Sequence, residues 1–251
     1  ALRDRSTFEL LRDLAHDPVP DIRAAAARAL GMLGDPRAVP VLRLLLGDRA
    51  LLPTYITVDE IAANALHTIG TAEANLAVEA WALYIIHSGR EEIVTIRALR
   101  KLQDLRSPRT LQPLLNLLQT QAADVRAEAA LVLGHLGDMR AVAPLLDMAQ
   151  NDLERVRPDA LYALALLGDR RAVCTFVDAL DDPYLPIRVE GALGLAASMD
   201  NRAVPTLTAL LNNRKRFISV HRPDYLGDYA RDALHRMDTP DTRMALQVWQ
   251  H

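Results

Sequence analysis

The chain has 251 residues, half of them apolar and only 4% aromatic, and its formal net charge is −3 at pH 7. Roughly a third of the residues are Ala or Leu, both strong helix formers, which favours closely packed helices over sheets. The slight negative charge excludes the global positive field of a general nucleic-acid binder. The single cysteine excludes both a disulfide framework and a cysteine-based zinc site within the chain.

The sequence contains no stretch with the features of a membrane helix or a leader. No apolar run approaches the roughly 20 residues that a membrane-spanning helix requires. The first residues also lack the apolar core of a signal peptide. We therefore expect a cytoplasmic location, and, because the chain begins with Ala1 rather than Met, an excised or processed segment of a larger protein.

A short pattern recurs along the chain, and its first clear copy begins at Ile22-Arg23. An Ala-rich run follows, with apolar residues spaced as on one face of an α-helix. Gly34 then supplies a helix stop, Asp35 an N-cap for the next helix, and Pro36 a residue that the first turn tolerates. A second apolar run comes next, so each copy predicts a two-helix hairpin.

Residues equivalent to Ile22 occur along the whole chain. They are Val58, Val94, Val125, Val156, Ile187 and Leu226. From Val94 to Ile187 they follow one another at about 31 residues, a period typical of helical solenoids. The pattern predicts an all-α fold, a right-handed α-solenoid of about seven two-helix repeats that forms one domain over 1–251. The repeats are expected to begin near residues 21, 57, 93, 124, 155, 186 and 225, after a partial repeat at 1–16.

The run from Asp21-Ile22-Arg23 to Ala38-Val39-Pro40 resembles the short HEAT-like repeat first associated with phycobilisome lyases. The resemblance is close at 21–48, 124–150, 155–182 and 186–212, and looser elsewhere. It implies the repeat fold. Members of this family include bilin-attachment chaperones, phycobilisome-degradation factors and many scaffolds, which generally act by binding other macromolecules. The repeat itself carries no catalytic residue that could be transferred to this chain.

Two repeats depart from the pattern. The second has Glu60-Ile61 in place of the Val-Arg pair and Thr71 in place of the capping aspartate, which indicates either a reshaped or a degenerate copy. The sixth has Gly191 and Gly194 where the first copy has alanines. Because glycine costs on the order of 1 kcal/mol against alanine inside a helix, we expect a soft helix there unless close packing requires both glycines.

An arginine recurs at the start of the first helix in four repeats. These arginines are Arg23, Arg126, Arg157 and Arg188, and the capping aspartates are Asp35, Asp138, Asp169 and Asp200. One interpretation is a row of binding sites for acidic ligands. The other is structural, since a planar guanidinium can bridge carboxylates and carbonyls of neighbouring repeats. We favour the structural role, with the four aspartates as partners, because one function rarely needs the same residue in every repeat.

Two insertions, at 47–57 and 212–229, lengthen the connection between a second helix and the next first helix. Both occupy the same kind of connection, so they should project from one edge of the array, where insertions often build a binding face. Basic and aromatic residues there suit phosphate, carboxylate or aromatic groups. The candidates are Tyr55, Arg214, Lys215, Arg216, Phe217, His221, Arg222 and Tyr225. The alternative is a pair of solvated loops whose aromatic rings pack on their own repeats.

The remaining reactive residues give no sign of a catalytic or metal site. The histidines are scattered, without the i, i+4 pairs typical of zinc ligands. Cys174 lies in an apolar run and is interpreted as a small core residue rather than a nucleophile. We therefore expect no metal, no cofactor and no catalytic residue.

The predicted function is a non-catalytic protein-binding scaffold or adaptor module of a larger protein. One alternative, and the enzymatic one, is a bilin-lyase-like or tetrapyrrole-handling chaperone subunit associated with phycobilisomes. A second is a nucleic-acid-binding helical-repeat module that uses Arg214, Lys215, Arg216 and Arg222. The mixed charge of the second helices favours a protein partner over nucleic acid, no membrane partner is expected, and self-association through the ends of the array is a further expectation.

Overall fold

The computed structural model describes residues 2–212 and 226–250, and helices account for most of them. This part of the chain contains fifteen α-helices and no β-strand. Leu51 and Thr57 form one isolated antiparallel bridge. The predicted all-α repeat fold is confirmed.

The first of two compact units ends at Leu105. Its helices are α1 (Leu2–Leu14), α2 (Pro20–Leu33), α3 (Val39–Leu45), α4 (Val58–Ile69), α5 (Ala72–Ser88) and α6 (Glu92–Leu105). Helix α2 packs between α1 and α4, while α5 packs between α4 and α6 and also contacts α3. The shared core is built from small and branched apolar side chains such as Ala27, Leu30 and Leu66, which are fully buried.

The second compact unit begins at Arg106. Its helices are α7 (Leu111–Leu117), α8 (Ala123–Leu136), α9 (Val142–Asn151), α10 (Arg157–Leu167), α11 (Val173–Ala179), α12 (Leu185–Ala197), α13 (Val204–Leu210), α14 (Leu226–Met237) and α15 (Pro240–Gln250). Helices α8, α10, α12 and α14 pack side by side in that order. The second helices α9 and α11 contact each other, as do α13 and α15, so the unit has two helical layers.

A glycine, an aspartate and an arginine build the turn inside the clear repeats, except that Met199 takes the place of the glycine in the repeat at 186–212. Gly34 ends α2 in the left-handed region at φ +66°, where a glycine is favoured because it lacks a Cβ. Asp35 then accepts a hydrogen bond from the Arg37 amide at 2.9 Å and starts the 3₁₀ turn Pro36–Ala38. The Arg37 guanidinium also donates to the Asp35 carboxylate. The local sequence thus determines the turn without help from distant residues.

The same turn recurs in the second unit. The pairs there are Asp138 with Arg140, Asp169 with Arg171, and Asp200 with Arg202. Hydrogen bonds from the arginine side chains are the main cause that lowers the pKa of each of these three carboxyls to about 2. The carboxylates are therefore ionised, and already paired with an arginine two residues away, over the whole physiological range.

The pairing predicted for the recurrent arginines is wrong. Arg23, Arg126, Arg157 and Arg188 do not bind the capping aspartates Asp35, Asp138, Asp169 and Asp200. The reason is that Arg37, Arg140, Arg171 and Arg202 occupy those carboxylates locally. Three of the recurrent arginines reach instead to an aspartate in the connection that precedes the next repeat, and these pairs are Arg23 with Asp48, Arg126 with Asp152, and Arg157 with Asp182.

Arg126 shows the geometry of these contacts most completely. Its Nε and Nη2 donate to the two carboxylate oxygens of Asp152 at 2.7 and 2.5 Å. Its Nη1 donates to the carbonyls of Thr120 and Gln121, in the turn before α8. The hydrogen bonds from Arg126 are the main cause that lowers the pKa of Asp152. One guanidinium thus joins α8 both to the turn before it and to the connection before α10. Arg188 donates in the same way to the carbonyls of Asp182 and Pro183.

Close packing explains the two glycines inside α12. A Cβ at Gly191 would lie 2.6 Å from Ala179 Cβ and 2.9 Å from the Phe176 carbonyl oxygen. A Cβ at Gly194 would lie 2.5 Å from the Phe176 ring, which is almost fully buried. Helices α11 and α12 therefore approach so closely that only glycine fits at these two positions. Close packing thus requires both glycines, and α12 is not expected to be soft.

We expect Gly191→Ala to destabilise the chain by about 1–3 kcal/mol, because the added methyl group overpacks the α11–α12 contact. Helix propensity alone predicts the opposite sign, a gain of about 1 kcal/mol. Urea denaturation followed by far-UV circular dichroism measures the difference. The control is Gly47→Ala, where the nearest atom is 3.7 Å from the new Cβ. A stability of G191A equal to or above that of the wild type would contradict the close packing.

Candidate functional site

The insertion at 47–57 folds into a compact loop held by its own backbone. Leu52 donates to the Ile56 carbonyl and Tyr55 donates to the Leu52 carbonyl, both at 3.0 Å. Tyr55 at the tip has φ +57°, a conformation rare for a bulky residue, and is 81% exposed. The aromatic ring is thus held in water rather than packed on its own repeat.

The other predicted binding residues lie outside the described residues. They are Arg214, Lys215, Arg216, Phe217, His221, Arg222 and Tyr225. Their participation in a binding face stays a prediction, as does a common edge for the two insertions.

A groove lies between α3 and α5 in the first unit. Its volume is about 480 Å³, within the range of ligand-binding clefts. Leu76, Trp81 and Tyr84 contribute apolar surface, and Leu76 and Tyr84 are half exposed. Charged groups line the rim: Arg43 pairs with Glu73 at 3.1 Å, and the Arg49 guanidinium lies 5.1 Å from the centre of the Tyr84 ring. This apolar floor and charged rim resemble the anatomy of a protein-binding surface.

Behind this groove lies a network of buried charges at the start of α4. Asp59 is 1% exposed and accepts hydrogen bonds from the Trp81 indole at 3.3 Å and from Arg90 Nη1 at 2.7 Å. The Thr57 hydroxyl donates to the same carboxylate. Glu60, also buried, accepts from Thr57 and pairs with Arg97 at 2.8 Å. Both buried carboxylates are therefore balanced by arginines from α6 and the turn that precedes it.

The ion pair Asp59–Arg90 is equivalent to the ion pair Arg23–Asp48, but the positions of the acid and the base are exchanged. Asp59 follows Val58 as Arg23 follows Ile22, so the two residues are equivalent in the repeat. The prediction that Glu60-Ile61 takes the place of this pair is therefore wrong. Each reaches the connection before the next first helix, where Arg90 or Asp48 supplies the opposite charge. The unusual second repeat is thus reshaped rather than degenerate at this contact, and Thr71 caps α5 by accepting from the amide of Ala74.

A second pocket of the first unit lies between α4 and α6. It has a volume of about 150 Å³ and is lined by Glu60, Asn64, Trp81, Arg97, Arg100 and Lys101. Three of these side chains are cationic and come from consecutive turns of α6. Arg97 Nη1 also donates to the Tyr55 carbonyl at 3.4 Å, which places the tip of the 47–57 loop next to the pocket. Trp81 lines both this pocket and the α3–α5 groove.

The second unit has a more polar pocket of about 310 Å³. It lies beside the Arg126–Asp152 pair and is also lined by Gln121, Asp147 and Asn151. Because Arg126 and Asp152 bind each other there, these two groups serve the repeat contact described above.

The described residues contain no group of three His, Cys, Asp or Glu side chains placed to hold a metal ion. The interpretation of Cys174 as a core residue is wrong, because its side chain is exposed. Helix α11 begins at Val173, after a 3₁₀ turn, so that Val173 and Phe176 face inward and Cys174 faces outward. Cys174 is the repeat equivalent of Pro40, which is also exposed.

The sequence did not identify four of the residues that line the pockets described in the first unit: Trp81, Arg97, Arg100 and Lys101. Trp81 was visible only as part of an apolar run, and nothing local marks it as the wall between two cavities. The sequence does contain an indication of the second pocket. Like charges at i, i+3 and i+4 are unfavourable on a helix, and this spacing occurs at Arg97, Arg100 and Lys101.

Three comparisons place the chain among known proteins. No curated protein matches the sequence. Among solved structures, YibA of E. coli is 17% identical with a TM-score of 0.60, over 98% of this chain and 88% of that one. The complex of CpcE and CpcF of phycocyanin lyase from Nostoc sp. PCC7120 is 17% identical with a TM-score of 0.55, over 96% of this chain and 92% of that one. At this identity the likeness shows the fold alone.

The sequence profile of HEAT repeats matches residues 1–51 and 79–165. These segments contain the Gly-Asp turns at 34–35 and 137–138 and the α8–α10 packing described above. None of the helices described here combines the length and apolarity required to cross a bilayer. The matched segments make up more than half of the sequence, and the chain belongs to the HEAT-repeat family.

Proposed function

We propose that the chain is a non-catalytic protein-binding scaffold or adaptor module and that the α3–α5 groove is its main contact surface. The observation that carries this proposal is the groove itself, where Leu76 and Tyr84 remain half exposed although the surrounding helices are closely packed. Exposed apolar side chains inside a charged rim are typical of surfaces that a partner protein covers. The partner would insert an apolar side chain between α3 and α5 and present polar groups to Arg43 and Glu73.

The protein-binding proposal has further support in the repeat architecture. Stacked helical hairpins expose one face of many second helices, and such surfaces are used for binding more than for catalysis. The complex of CpcE and CpcF is an assembly of two proteins with a similar fold. Cytoplasmic location, self-association through the terminal helices and the absence of a cofactor stay predictions.

The test is a quantitative pull-down from a lysate of the source organism with three versions of the chain: wild type, Leu76→Glu and Met32→Glu. Met32 is 87% exposed on α2 and does not line the groove, so M32E controls for a new surface charge. Proteins retained by the wild type and M32E should be lost with L76E, because a carboxylate cannot enter an apolar contact without losing its hydration. Equal retention by all three versions, or a retained set that disappears after nuclease treatment, would contradict the proposal.

A further inference from the structure

We propose that the α4–α6 pocket binds an anionic group, a carboxylate or phosphoryl group, on a peptide segment of a partner protein. The pocket is separate from the α3–α5 groove, so this inference rests on the proposed protein-binding function but not on the groove. Lys101 would bind the anion, and Tyr55 would contact the peptide beside it.

The charges of the pocket carry the first step. Three cationic side chains of α6 line it, against one carboxylate, that of Glu60. Glu60 is buried and already accepts hydrogen bonds from Arg97 and Thr57. Because Arg97 is paired with Glu60, the charge of Lys101 is the one that attracts an entering anion.

Lys101 carries the second step. Its side chain is half buried, and burial lowers the pKa of its ammonium, partly offset by the charge of Asp104. No hydrogen bond or ion pair joins this ammonium to any of the described residues, and the Asp104 carboxylate lies 3.3 Å from His67 Nε2. A half-buried cation without a bonded partner gains the most from an anion brought by a ligand.

The size of the pocket and the position of Tyr55 define the class of ligand. A volume of about 150 Å³ is below the range of clefts that hold whole cofactors, so a single anionic group fits better than a nucleotide. Tyr55 is exposed at the loop tip, and its carbonyl oxygen accepts from Arg97 at the pocket. Exposed tyrosines are enriched where proteins bind other proteins, because a rigid ring loses little entropy on binding. A peptide could therefore place its anion in the pocket and its backbone against the ring.

The experiment uses the full chain with Trp249→Phe, which leaves Trp81 as the single tryptophan. Trp81 lines the pocket, so its fluorescence reports occupancy. The probes are inorganic phosphate, a short peptide with a central phosphoserine, its glutamate analogue and a neutral serine peptide. We expect saturable changes with the anionic peptides and none with the serine peptide. Lys101→Gln should weaken peptide binding by about tenfold, the loss of one charge-assisted hydrogen bond.

Two controls make the result specific. Arg28→Gln removes the same charge from an exposed position on α2 and should leave peptide affinity unchanged. Tyr55→Ala should weaken the peptides but not inorganic phosphate. Equal affinity of K101Q and the wild type, or no saturable change with either anionic peptide, would overturn the pocket as an anion site. If inorganic phosphate bound at least as tightly as both anionic peptides, the proposal that the anion belongs to a peptide would be wrong.

Discussion

Replacing Arg126 with alanine is expected to lower the free energy of unfolding by about 2–4 kcal/mol. The variant loses both hydrogen bonds to Asp152 and both carbonyl contacts, and it leaves the Asp152 carboxylate largely buried without its counter-charge. Both side chains of this pair are only 12% exposed, so water screens their interaction little. Urea denaturation of the full chain, followed by far-UV circular dichroism, measures the change.

Arg140→Ala is the matched control for Arg126→Ala. Arg140 also forms an ion pair with an aspartate, Asp138, but its side chain is 71% exposed and its partner is two residues away. Exposed pairs of this kind contribute about 0–1 kcal/mol. The structural role assigned to the recurrent arginines predicts a clear difference between the two variants, and equal stabilities would show that the inter-repeat contact does not stabilise the fold.

The second large effect is expected at Asp59. Asp59→Ala should destabilise the first unit by about 3–5 kcal/mol, because the Arg90 guanidinium and the Trp81 indole would both lose a buried acceptor. The removal of one member of a buried ion pair is costly since the remaining charge stays partly desolvated. In the Trp249→Phe background, Trp81 fluorescence during urea denaturation reports this unit directly.

The control for Asp59→Ala is Asp104→Ala. The Asp104 side chain is 70% exposed and lies in the last turn of α6, where a negative charge is unfavourable to the helix dipole. Its removal should change the free energy of unfolding by less than about 1 kcal/mol. A D59A variant within that same limit would mean that the buried network contributes little to the stability of the first unit.

The features that the sequence predicts well are those that depend on near neighbours. The αL glycine at 34 and the Asp35 cap act within a few residues, so the copies that keep both residues carry the complete turn. The apolar spacing likewise predicts the buried faces of the helices, because a helix face is a local property. The all-α repeat fold follows from these two local signals together.

The partners of the arginines could not be predicted in the same way. Arg23, Arg126 and Arg157 each have two aspartates at suitable sequence distances, one in the turn and one in the connection to the next repeat. The choice depends on Arg37, which occupies Asp35 first and leaves Asp48 for Arg23. In the second repeat the sign of the charge also changes, so a search for arginine alone overlooks Asp59.

The pockets depend on contacts that the sequence does not show. Trp81 forms the wall of two cavities only because α5 packs between α4 and α6. The same is true of Gly191. Whether alanine in its place stabilises or destabilises the chain depends on how closely α11 approaches α12. Of the predicted binding residues, Tyr55 is the one that the described structure includes, and it lies beside a pocket that had no counterpart in the predictions.

The charge-reversed contact has a consequence for the order in which repeats assemble. At equivalent positions, α4 has the carboxylate of Asp59 and α2 has the guanidinium of Arg23. If α4 were followed by a repeat whose connection carries an aspartate, two acids would meet in a desolvated space, and Arg23 opposite Arg90 would bring two cations together. Near-identical hairpins can mispair while a chain folds. Electrostatic repulsion at this contact would therefore disfavour an exchange of the two connections during folding.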